Sequence, residues 1–96
     1  MDYLSCEDCY IKNRQILENK KGIFYVPGSR HYYVVFLAGA LNRFGVPCID
    51  ALALCGNLAE ETHTSKEINN TVISIYRKYK KDFGRYKWTF HKPKNQ

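Results

Sequence analysis

The chain has 96 residues, 45% of them hydrophobic and 15% aromatic, enough for one domain with one modest core. That length excludes the large barrel enzymes, which need about 250 residues. The 25% share of charged residues excludes wholesale disorder. The formal charge is +6, and it is unevenly spread. Residues 77–96 hold eight bases and one acid, a balance of +7, whereas residues 1–76 hold seven bases and eight acids, a balance of −1. A localised basic field attracts polyanions, nucleic acid before an acidic membrane surface.

Four helices are expected in chain order. The first covers 5–19, capped by Ser5, with Glu7 and Asp8 in its first turn and Gly22 beyond its end. Ile23 to Val26 is a short β-branched and aromatic run. It reads as a strand whose partner is the alternating segment 86–90. The second helix covers 29–44, with Ser29 as cap and Gly45 as stop. Tyr33, Phe36, Leu37, Ala40, Leu41 and Phe44 form a stripe on one side, and with Val34, Val35 and Ala38 the helix is apolar nearly all round, as the central helix of a domain is. Pro47 opens a third helix over 47–56, with Ile49, Leu52, Ala53 and Cys55 facing inward. Thr64 to Glu67 is a capping box for a fourth helix over 65–83, whose stripe is Ile68, Val72, Ile75, Tyr79 and Phe83. The fold class is therefore mainly α: a single domain, 1–96, built as a small bundle of about four helices, to which the 23–26 and 86–90 runs can add a short two-stranded β pair. Leu37, Leu41, Phe44, Leu52, Ile68, Val72 and Ile75 are the expected core.

Motifs of catalysis are missing. The chain carries no nucleophile elbow, P-loop, HExxH or GxGxxG pattern, and its three histidines have no ligand-like spacing. No catalytic residue, cofactor or metal ligand is nominated, and the chain is not expected to be an enzyme. Cys6 and Cys9 match half of a zinc site, but Cys48 and Cys55 do not complete any common zinc pattern. The preferred reading of all four is a reduced, structural thiol, with a small metal-binding domain, and then disulfide or redox chemistry, as lesser alternatives. No run is apolar enough to span a membrane, and the N-terminus does not read as a signal peptide, so a cytoplasmic protein or a fragment of a longer one is expected.

Two places could bind a polyanion. Gly28 and Ser29 open the second helix, and Arg30 and His31 add charge beside its free amides, a corner suited to phosphate. The plainer reading is a capped helix whose Arg30 pairs with Glu60 or Glu61. The other place is the basic end, where Arg77, Lys78, Lys80, Lys81, Arg85 and Lys87 are interleaved with Tyr76, Tyr79, Phe83, Tyr86 and Trp88. Single-strand binding needs both cations and aromatic faces. A merely solvated helix face, or a docking surface for an acidic protein, fits the same residues.

Gly28-Ser29-Arg30-His31, Leu37-Ala38, Leu41 to Val46, Asp50-Ala51-Leu52 and Glu67-Ile68 leading to Tyr76 form a pattern over about residues 24–84. It resembles the primase C-terminal helical domain. That family accompanies primase-polymerase and helicase modules on phages, plasmids and other mobile elements. The resemblance implies a helical linker or template-binding element in DNA replication rather than a catalytic core. Its partners would be single-stranded DNA, held weakly, and a primase or helicase module on the same or a partner chain, with no membrane. By position Arg30 and His31 match the family's polar helix start, and Asn42 and Arg43 follow its Leu41. The contrasting expectation is a protein-interaction module with a basic docking surface.

Overall fold

The computed structural model describes residues 5–86, and in them the helices alternate in direction. The order is α1 (Cys6–Asn19), α2 (Arg30–Arg43), α3 (Cys48–Gly56) and α4 (Ser65–Lys78), followed by a 3₁₀ turn over Lys80–Asp82. Arg30 at the start of α2 meets Thr62 just before α4, and Asn42 at the end of α2 meets Tyr79 just after α4. α2 and α4 are therefore parallel neighbours, with α1 and α3 running the other way.

Local chemistry sets most of the boundaries. Ser5 Oγ accepts the Asp8 amide at 3.1 Å and opens α1. Thr64 and Glu67 form the reciprocal capping box, Oγ1 to the Glu67 amide and Oε1 to the Thr64 amide, each at 3.3 Å. α2 ends in a Schellman turn. The Val46 amide returns to the Leu41 carbonyl at 3.0 Å and the Gly45 amide to Asn42 at 3.1 Å. Gly45 takes φ 82°, a conformation that costs other residues strain.

The core is one cluster around α2. Tyr33, Val34, Leu37, Ala38 and Leu41 are wholly buried there, joined by Cys9, Tyr10 and Leu17 of α1 and by Ala51 and Cys55 of α3. Ile68, Val72, Ile75 and Tyr76 of α4 complete it. Of the expected core, Leu37, Leu41, Ile68, Val72 and Ile75 are inside, while Phe44 and Leu52 pack on its edge, half-buried.

Three expectations are corrected. Residues 23–26 are not a strand, because their polar groups are used locally. The Ile23 amide bonds the Leu17 carbonyl, the Val26 amide bonds Phe24, and Ser29 Oγ takes the Phe24 carbonyl at 2.6 Å. The proposed partner, 86–90, lies outside the described residues apart from Tyr86. α3 is rotated from its expected phase. Ile49 is 76% exposed and Ala53 faces out, while Ala51 is wholly buried. Finally, α4 stops at Lys78 rather than 83. Asn42 Nδ2 donates to the Tyr79 carbonyl at 2.8 Å, and the Asp82 amide bonds the same carbonyl at 2.9 Å, which tightens the chain into the 3₁₀ turn.

Candidate nucleic-acid interface

Because α2 and α4 are parallel, their C-termini share one end of the bundle. That end collects Arg43 from α2, Arg77 and Lys78 from the last turn of α4, Lys80 and Lys81 from the 3₁₀ turn, and Arg85 beyond it. Cations at helix C-termini complement the negative end of the helix dipole, so these positions suit the fold as well as a ligand. The segment after the 3₁₀ turn closes over α2. The Gly84 amide bonds the Asn42 carbonyl at 2.9 Å and the Tyr86 amide bonds the Arg43 carbonyl at 2.7 Å. Gly84, at φ 73°, packs against the Gly45 backbone. The Asn42 carbonyl, already bonded to Gly45, thus gains a second donor, the Arg43 carbonyl that the helix end leaves open is occupied, and the basic segment is pinned in place.

The early stop of α4 changes which aromatics are inside. Tyr79 and Phe83, expected in the core stripe, are 40% and 48% exposed, and Tyr86 is 42% exposed. Cations accompany them. Lys78 Nζ lies 5.5 Å from the Tyr79 ring centre. Arg85 and Arg43 hold their guanidinium carbons 5.8 Å and 6.0 Å from that of Tyr86. Two of the rings are backed by others, Tyr86 by Phe44 at 5.9 Å and Phe83 by Tyr76 at 6.4 Å. The result is a set of half-exposed rings with cations close by. Asp82, 3.5 Å from Arg85, is the acid of this segment, and that exposed pair is weak. Arg77, Lys78, Lys80 and Lys81 are all exposed. Lys87 lies outside the described residues.

Arg30 and His31 are at the other end of α2, roughly 20 Å away by the rise of a 14-residue helix. Arg30 is engaged there: its Nη2 lies 2.6 Å from Glu60 Oε2, its Nη1 donates to Thr62 Oγ1, and its guanidinium covers the Tyr25 ring. The same clamp holds Tyr25 Oη to His63 Nδ1 at 2.8 Å. Of the two sequence readings of Arg30, the structure shows the ion pair with Glu60. His31 is exposed, its ring edge-on to Tyr32 at 5.9 Å. Ser29 does not cap α2, since its hydroxyl is turned back to the Phe24 carbonyl.

The remaining titratable groups are internal. Burial pushes the Cys9 thiol up to about 11 and the Cys55 thiol up to about 12. Burial, then the Asp50 charge, raises Cys6. Such thiols stay protonated at neutral pH, whereas nucleophilic and metal-ligating cysteines act as thiolates. All four cysteines are free, and no group of three or more metal-ligating side chains occurs among the described residues. Tyr33 accepts from Arg14 Nε at 2.9 Å and donates to Glu18 at 2.6 Å; burial, with the Glu18 carboxylate, pushes its hydroxyl up to about 12. These contacts tie α1 to α2 rather than form a reactive centre.

Sequence reasoning named the basic residues and the aromatics between them, but it placed Phe36 on the apolar stripe of α2 and did not single out Tyr32; both are exposed, a further correction to the expected phase of that helix. Their four-residue spacing was the available signal, masked by the apolar residues on every other side. Among the described residues no helix is long and apolar enough to cross a membrane. Compared with family models, curated proteins and solved structures, the chain matches none.

Proposed function

We propose that the chain is a non-catalytic, helical nucleic-acid-binding domain that holds single-stranded DNA at the shared C-terminal end of α2 and α4. The observation that carries this reading is the trio Tyr79, Phe83 and Tyr86, half-exposed beside Lys78, Arg43 and Arg85. Bases stack on the rings, and the lysines and arginines around them meet the phosphates. Lys80, Lys81 and Arg77 extend the electrostatic part. Arg30 is assigned a structural part instead, because its charge is already paired. The resemblance to the primase C-terminal helical domain supports the same class of activity, a linker or template-binding element beside a primase or helicase module of a mobile element.

Fluorescence anisotropy of a labelled oligothymidylate tests the reading. The protein is expected to bind it with a Kd around 10⁻⁴–10⁻⁶ M at physiological salt, and more tightly as salt is lowered. A duplex of equal length should bind less well, since its bases are already stacked. Absence of binding to single strands at low salt would overturn the proposal and leave docking of an acidic protein as the better account of the basic end.

A further inference from the structure

The outward face of α2 is apolar where a solvated helix is polar. Tyr32, Phe36, Gly39 and Arg43 fall at i, i+4, i+7 and i+11, one line along the helix. Tyr32 is 61% exposed and Phe36 45%, and Phe24 and Val26 of the preceding loop stand half-exposed beside them. An open groove runs between these four side chains and Ile23. Large apolar side chains gathered at one surface mark an interaction site rather than scattered exposure.

Two observations choose the occupant. The first is charge. Among the described residues the groove wall carries no acidic side chain, and the line ends in cations. The Arg43 guanidinium lies across the backbone of Gly39, where an added Cβ would meet its Nη1 at 3.3 Å, and also faces the Tyr86 ring with Arg85. The second is continuity. Gly39 is buried with the Arg43 guanidinium beside it, and the Tyr86 amide is bonded to the Arg43 carbonyl, so Arg43 is the link between the α2 line and the basic aromatic end. Phe36 lies two helical turns from that junction and Tyr32 three.

We propose that single-stranded DNA bound at the basic end continues along α2, with bases resting on Phe36 and then Tyr32. This inference rests on the nucleic-acid reading of the basic end. The distance from Arg43 to Tyr32 is about 16 Å along the helix axis. At a stacked rise of about 3.4 Å that is room for about five nucleotides. Binding should therefore strengthen when the strand is lengthened by about that much beyond what the basic end covers, a step that phosphate contact at the end alone does not produce.

The test uses the full chain and two labelled oligothymidylates, one just long enough to bind the basic end and one about five nucleotides longer. Tyr32→Ala and Phe36→Ala are each expected to weaken the longer complex at least about five-fold, the effect of losing one stacked base, with little change for the shorter one. Their salt dependence should stay as in the parent, because no phosphate contact is removed. Tyr32→Phe should keep the parent affinity. Tyr32 is the more exposed of the two, so Tyr32→Ala carries the test if Phe36→Ala does not fold. Lys80→Glu with Lys81→Glu is the control arm. If it weakens both complexes while the α2 variants bind both strands like the parent, the α2 path is wrong and the basic-end reading stands. If the parent binds neither strand, both fail together.

Discussion

Asn42 shows how one side chain can set the shape of a surface. It is wholly buried, and its amide reaches the Tyr79 carbonyl at the point where α4 gives way to the 3₁₀ turn. Asn42→Ala leaves that carbonyl without its side-chain donor and should destabilise the protein by about 1–3 kcal/mol. Denaturant unfolding measures the loss, and a change within error would show that the clamp is dispensable. Leu41, one residue earlier, is also wholly buried and serves packing alone. Leu41→Ala is expected to cost about 2–5 kcal/mol, and a change under about half a kcal/mol would mean that its cavity collapses freely. The buried thiols carry a pH dependence. Cys9 and Cys55 have an ordinary value of 9.0 and folded values of about 11 and about 12. The stability they contribute is complete below pH 9 and is lost as pH rises from 9 toward 12, because the unfolded chain releases those protons first. Unfolding midpoints at stepped alkaline pH should fall over that window, and less so in a Cys9→Ala, Cys55→Ala double variant. An equal fall in both proteins would assign the loss to other groups.

At the level of elements, the starts and stops were the most legible part of the chain. Ser5, Gly45 and the Thr64 to Glu67 box act where local chemistry places them, since a cap needs only its own turn. Thr64→Ala should cost about 0.5–2 kcal/mol, read by thermal or denaturant unfolding. Ser29→Ala should leave the α2 amides as they are, because the Ser29 hydroxyl serves the 23–28 loop instead. The misreadings of α3 and α4 depend on partners distant in sequence, whereas those of Ser29 and the 23–26 run come from competing local hydrogen bonds. Apart from Asp50, α3 is apolar from Ile49 to Cys55, so periodicity does not choose its inward face; packing against the other helices buries Ala51 and Cys55. α4 keeps its stripe through Phe83 in sequence, yet the helix ends at Lys78 because Asn42, 37 residues away, takes part in the turn at Tyr79. The 23–26 run has the composition of a strand, but strands need a ladder, and the loop's caps and turns use its polar groups first.

Across the whole molecule, the sequence showed where the charge is and not what it surrounds. The +7 balance of residues 77–96 is visible in composition. The Arg30 pairing with Glu60 was also readable, but that Arg43 joins the basic end while Arg30 sits at the opposite one follows only from the parallel packing of α2 and α4. The same packing exposes the aromatic rings that a continuous helix over 65–83 would have buried. The central claim is that phosphates are held at this end, and the salt dependence of binding tests it most directly. Affinity for an oligothymidylate should be measured from low to physiological salt for the parent and for the Lys80→Glu, Lys81→Glu variant, with circular dichroism to verify the fold. The account predicts weaker binding by the variant and a log–log salt slope shallower by roughly 0.7 for each phosphate that the variant no longer neutralises. A correctly folded variant with the parent's affinity and slope would contradict it.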